Sequence, residues 1–163
     1  MNTALWLALG FALALLYLRS GRSLSPHRQP VFWATGLVVA TALYIVFALL
    51  ADAPFPVLAR EAGGTLLFIT LAWVSTRKPV SRQRWLAAGW LLHPLWDLGA
   101  HHGSAHAPDW YMWACLSFDL VVGIALATSA SGNENGLPER PYARHDSPHA
   151  WPTTPLPAPS TQT

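Results

Sequence analysis

The sequence predicts an all-α polytopic membrane protein built as a bundle of five transmembrane helices. Three observations carry that prediction. The 163 residues are 52% hydrophobic and only 11% charged, against about 25% charged in ordinary soluble domains. Five apolar segments approach the length of about 20 residues that crosses a hydrocarbon core at about 1.5 Å rise per residue. Nine residues are tryptophan, which together with tyrosine favours the interfaces of a bilayer.

The first span, 1–18, carries no charge. No Lys or Arg precedes its apolar core and no small-residue cleavage site follows, so it reads as a span and not as a signal peptide. The second, 31–51, is also uncharged. The third, 56–75, contains Arg60 and Glu61. A start after Glu61 leaves a segment too short to span, which places Glu61 one or two turns inside the helix. The fourth covers 85–100, and the fifth covers 110–129, interrupted only by Asp119.

The loops orient these spans. Arg19, Arg22 and Arg28 follow the first, Arg77, Lys78, Arg82 and Arg84 the third, and Arg140 and Arg144 the fifth, while Arg60 alone remains for the other side. The positive-inside rule then sets the N-terminus outside and the C-terminus in the cytoplasm, as expected of a multi-pass protein of a bacterial inner membrane. Residues 131–163 hold seven prolines among Ser, Thr and Ala. Such a composition buries too little apolar surface to offset ordering entropy, and it predicts a disordered cytoplasmic tail behind one domain, 1–130. The net charge of +2 is too small to imply a nucleic-acid partner. The single cysteine, Cys115, excludes a disulfide framework and a cysteine-based zinc site.

Function is sought where ionisable groups stand in apolar helices, because a charge at the centre of a bilayer costs roughly 2.5–3.5 kcal/mol on insertion scales. In the fourth span His93 and Asp97 are spaced i, i+4 and share a face. His101 follows four further on, about 80° round from His93, and His102 points elsewhere unless the helix has ended. Pro94 removes a backbone donor beside them. With the orientation above, Glu61 lies in the outer half and Asp119 roughly 15 Å down the fifth helix. Glu61, His93, Asp97, His101 and Asp119 then share overlapping depths, and the outer loop adds His102, His106 and Asp109.

Imidazole and carboxylate together suit zinc, iron, manganese or copper, and a catalytic site holds three such ligands with a position open. Without metal the same groups pass protons or act as general acid and base. Plainer readings stand beside each residue. His93 could bond a carbonyl; Asp97 and Asp119 could be neutral or paired as helix glue; Glu61 could pair with an arginine. His101, His102 and His106 could be ordinary interfacial histidines. Trp90, Trp96, Trp110 and Trp113 read as anchors and packing.

At Gly89-Trp90-Leu91-Leu92-His93-Pro94-Leu95-Trp96-Asp97, with His101-His102, Phe118-Asp119 and Glu61-Ala62-Gly63-Gly64, the chain resembles a group of small bacterial integral membrane proteins of unknown function. The resemblance covers the second to fifth spans and implies a membrane protein with no assigned activity. The His93-x-x-x-Asp97 spacing is also similar, locally, to the intramembrane sites of cation-diffusion zinc transporters. Membrane desaturases carry more histidine boxes, on the cytoplasmic side.

The leading expectation is a membrane-embedded, metal-dependent enzyme, a hydrolase acting on a lipid or amphiphile reached from the outer leaflet. His93, Asp97, His101 and His102 are the expected ligands of a divalent metal, zinc first, and Asp119 or Glu61 the general base or a further ligand. The alternatives are proton or divalent-metal transport along Glu61, Asp97 and Asp119, which predicts a homo-oligomer, and an accessory protein whose polar groups only join helices. An apolar groove opening sideways to lipid favours the enzyme; polar residues spread across the membrane favour transport.

Overall fold

A computed structural model describes residues 2–77, 81–101 and 105–134, the last four as backbone only. Every regular element among them is helical: α1 Thr3–Arg22, α2 Gln29–Leu50, α3 Phe55–Arg77, α4 Arg82–His101 and α5 Asp109–Glu134. Each predicted span matches one helix, extended by up to a turn or so at its ends. The extensions have local causes. Pro30 and Pro56 fall in the first turns of α2 and α3, where the missing N–H costs nothing. Asp109 opens α5, and a carboxylate there favours the helix dipole. Asp52 takes a positive φ of 48° in the turn between α2 and α3. Residues 131–134, expected to begin the disordered tail, continue α5, and the rest of the predicted tail, with Lys78 and His102, lies outside the described residues.

Four helices, α1, α2, α3 and α5, are long and apolar enough to cross a membrane. The fourth helix, α4, is 20 residues long but carries Arg82, Arg84, His93, Asp97 and His101. It is the polar strut of the bundle. α4 packs chiefly on α5 and α3, and also touches α2; α1 rests on α5, and α2 on α3. α1 and α2 meet only sparsely, so the ring of helices is open along that seam.

Successive helices run up and down. One end gathers Pro26, Gln29, Arg82 and Gln83 around a polar cavity. The opposite end brings Asp52, Arg60 and His106 together, and Trp6 there packs on Trp110 with centroids 5.5 Å apart. Between the ends, Leu37, Phe68, Leu86, Trp90, Val122 and Leu126 form a continuous apolar core toward the arginine-rich end. The buried acidic and histidine side chains, Glu61, His93, Asp97, His101 and Asp119, lie in the other half.

Two glycines set how closely the helices approach. A Cβ on Gly10 would collide with the Ala114 carbonyl of α5, and one on Gly64 with the indole of Trp96. Neither collision can be relieved by a flexible chain end. Gly10→Leu should therefore destabilise the bundle by about 1–3 kcal/mol, the usual cost of overpacking. The thermal midpoint in detergent should fall for that variant and stay near wild type for Gly63→Ala, where the added methyl meets nothing within 4 Å.

Candidate functional site

Three helices and one loop deliver the polar groups. α4 contributes His93, Asp97 and His101 along one buried face; α5 contributes Asp119, α3 contributes Glu61, and the α4–α5 loop contributes His106. His93, Asp97 and Asp119 are 0% exposed, His101 1% and Glu61 2%. Charge-bearing side chains are almost never so fully buried unless paired, and here they pair with one another.

They form an alternating row. Asp119 Oδ2 lies 2.6 Å from His93 Nδ1, and His93 Nε2 lies 3.5 Å from Asp97 Oδ1. Asp97 Oδ1 is 3.6 Å from His101 Nδ1, whose Nε2 is 2.8 Å from Glu61 Oε2. Glu61 Oε1 then accepts from Arg60 at 2.8 and 3.1 Å and faces His106 Nε2 at 3.2 Å. Arg60 is partly exposed, so the row ends at the surface. There Arg60, His106 and Asp52 line a polar cavity of about 340 Å³.

The hydrogen bonds at the two ends determine what the middle presents. A carboxylate only accepts, so the Nδ1–H of His93 donates to Asp119 and the Nε2–H of His101 donates to Glu61. In the neutral rings the other nitrogens, His93 Nε2 and His101 Nδ1, carry lone pairs, and both face Asp97. Neither has a hydrogen-bond partner, nor do Asp97 Oδ1 and Oδ2, Asp119 Oδ1 or the hydroxyl of Tyr44. Six buried polar atoms without partners in one place are expensive. Being acceptors almost throughout, they call for positive charge.

Among the described residues two groups have the spacing of metal ligands: His93, Asp97 and Asp119, all fully buried, and Glu61, His101 and His106. The first contains most of the unpartnered atoms. In the second Glu61 is already satisfied by Arg60 and two imidazoles. A cation is therefore better suited to the first group, with His101 Nδ1 on its border. Glu61 then holds the His101 ring and Asp119 Oδ2 holds His93, the carboxylate–histidine arrangement that orients metal-binding imidazoles.

The structure thus regroups the predicted residues. Asp119, expected as a base or further ligand, lies with His93 and Asp97; Glu61, expected in the same role, lies with His101 and the loop residue His106. His102 falls outside the described residues. Tyr44 was missed: its ring stacks on His101 at 3.7 Å and 8°, and its hydroxyl lies beside Asp97. Its one sequence signal is a phenol in the middle of an otherwise uncharged span. Trp90, read as an anchor or packing, is 1% exposed and belongs to the core.

Asp119 has a second environment. It closes one side of an apolar cavity of about 250 Å³ lined by α1, α2, α5 and Trp90 of α4. Leu9, Leu13 and Val39 at its rim are 40–53% exposed, so it opens along the seam between α1 and α2. The row therefore touches a polar cavity at one end and an apolar groove at the other. No protein-family model, curated protein or solved structure matches the chain.

Breaking the His93–Asp119 pair from one side strands a buried group, which costs about 3–5 kcal/mol. Asp119→Leu alone should lower the denaturation midpoint strongly. His93→Leu combined with Asp119→Leu should recover most of the loss, and a double variant no more stable than Asp119→Leu would show that the pair does not act as a unit.

Proposed function

We propose that the chain is a membrane-embedded, metal-dependent enzyme, a hydrolase of a lipid or amphiphile, with its site in the outer half of the membrane. The observation that carries this reading is the convergence of unpartnered acceptors on Asp97: His93 Nε2, His101 Nδ1, both Asp97 oxygens and Asp119 Oδ1. His93, Asp97 and Asp119 would hold a divalent cation, and zinc suits a set of imidazole and carboxylate ligands. Such a cation supplies Lewis acidity and activates water at neutral pH. Glu61 keeps His101 in the tautomer whose Nδ1 faces the site. Arg60 balances Glu61, and an apolar groove between α1 and α2 lies beside the site.

In this reading α4 is a fifth span. His93, Asp97 and His101 face the bundle, while Leu92, Leu95 and Leu98 are exposed on its outer side, as a lipid-facing surface requires. The clustering of Arg19, Arg22, Arg28, Arg77, Arg82 and Arg84 on two loops supports a cytoplasmic placement of that end.

Proton handling is the second reading, favoured by one observation. The alternating carboxylates and imidazoles reach from Asp119 to the surface at Arg60 and His106, and two protons neutralise the cluster as well as one divalent cation does. Transport would need the row to continue, and beyond Asp119 the core is apolar.

Metal content of the detergent-purified protein decides between them. Wild type should carry about one divalent ion per chain, and His93→Ala and Asp97→Ala should carry none. Glu61→Gln should keep the ion with affinity lowered by about 10–100-fold, as for residues that orient a ligand. A folded wild type that takes up no zinc, iron, manganese or copper would sink the enzyme reading and leave proton handling. The orientation is checked in a Cys115→Ser background: an impermeant maleimide should label Asp52→Cys from outside intact cells and leave Ser25→Cys unlabelled until the cells are opened.

A further inference from the structure

We infer that the polar cavity between the first turns of α2 and α4 is a binding site for a phosphate-type oxyanion, held chiefly by Arg82. The site lies at the arginine-rich end of the bundle, away from Asp97, and does not rest on the enzyme reading.

The cavity has a volume of about 290 Å³ between Pro26, Gln29, Trp33, Arg82, Gln83 and Leu86. A smaller one of about 50 Å³ shares Gln29, Trp33 and Gln83 and is bounded beyond them by Arg22 and Ser129. The two have a common structural origin. Gly21 has no Cβ to collide with the indole of Trp33, so that ring lies against α1 and walls both spaces. The Gln29 amide donates back to the Leu24 carbonyl at 3.0 Å and holds the α1–α2 turn at the rim. Among the described residues the two linings hold Arg22, Arg82, Gln29 and Gln83 and no carboxylate.

Arg82 is the group that calls for an anion. It is half-buried, and no described protein group accepts from its guanidinium. Nε is the one nitrogen of the fork closed to solvent, so the terminal pair is the face open to a ligand. The acidic side chains Asp52, Glu61, Asp97, Asp109 and Asp119 stand toward the opposite end, and none of them neutralises it. A guanidinium without a counter-charge favours an oxyanion, whose oxygens its planar fork takes two at a time. Arg22 adds a second charge across the smaller cavity, and the first turns of α2 and α4 present the positive ends of their dipoles. At roughly 30 Å³ per water-sized group, the larger cavity has room for a phosphate with its first waters. Basic pockets between membrane helices take anionic headgroups by this chemistry. The phosphodiester of an anionic lipid and free inorganic phosphate offer the same oxygens.

The test uses the full chain in a neutral maltoside detergent. Retained phosphatidylglycerol is counted by native mass spectrometry, and radiolabelled inorganic phosphate by equilibrium dialysis. Wild type should hold one ligand per chain. Arg82→Gln should weaken binding by about 10–100-fold, the usual worth of a hydrogen bond to a charged group. Gln83→Glu sets a carboxylate in the same cavity, removes no arginine, and should weaken binding as much. Arg19→Gln and Arg77→Gln remove the same charge from exposed positions of that end, outside both cavities. Both should stay within about twofold of wild type, since exposed charges are screened.

Binding of either ligand, or of both, with that dependence on Arg82 and Gln83 supports the site, and the ligand that binds names its source. Equal losses in Arg19→Gln, Arg77→Gln and Arg82→Gln would report only the summed charge of that end and overturn the proposal. Retention of neither ligand by folded wild type, or binding unchanged in Gln83→Glu, overturns it as well. Where Arg82→Gln does not fold, Gln83→Glu decides. Metal content measured on the same samples should match wild type in every variant, so this proposal and the enzyme reading fail separately.

Discussion

Asp97 is the carboxylate on which the arrangement turns. It is 0% exposed, and the two imidazole nitrogens that approach it belong to rings already donating, on their far sides, to Asp119 and Glu61. A buried carboxylate facing two lone pairs is repulsive as it stands. The three carboxylates and Arg60 leave the cluster two positive charges short of neutrality when the imidazoles are neutral. One divalent cation or two protons supplies the difference. Everything else in this half of the bundle, from the stacked ring of Tyr44 to the ion pair of Arg60, fixes the positions of groups that share that deficit.

The bundle is built to isolate this deficit on one side and serve it on two. Toward the arginine-rich end lie Leu37, Leu86, Trp90, Val122 and Leu126, an apolar floor that excludes water. Toward the other end, His106 and Arg60 open on a polar cavity. Sideways, the sparse contact between α1 and α2 leaves an apolar slot that reaches Asp119.

Much of this was legible before any coordinates. Four of the five helices follow from the length and apolarity of their segments, because a helix is the structure that satisfies every backbone group within an apolar span. The fourth in order, α4, expected as a further span, is helical but less apolar. The shared face of His93, Asp97 and His101 follows from a spacing of four. What periodicity could not supply was contact between helices. Asp119 could have faced any neighbour, and its bond to His93 depends on how α5 seats on α4. The regrouping of Glu61 with His101 and His106 depends on a loop that carries no periodic signal. Tyr44 was invisible for a different reason, since a tyrosine in an apolar span reads as packing until its hydroxyl is found beside a buried carboxylate.

The geometry also weighs on the choice between reaction and conduction. A conducting row must offer a partner at each step and continue to the far side. This one is well bonded at Glu61 and at the His93–Asp119 pair, stretches to 3.5 and 3.6 Å around Asp97, and meets the apolar floor beyond Asp119. The loosest point of the row coincides with its greatest need for positive charge, and its blind end lies beside the apolar cavity between α1 and α2. A blind end beside a slot has no use in a pathway, whose traffic must pass through. The row's need for positive charge is gathered at one point, Asp97, where His93 and His101 converge, and not distributed along its length.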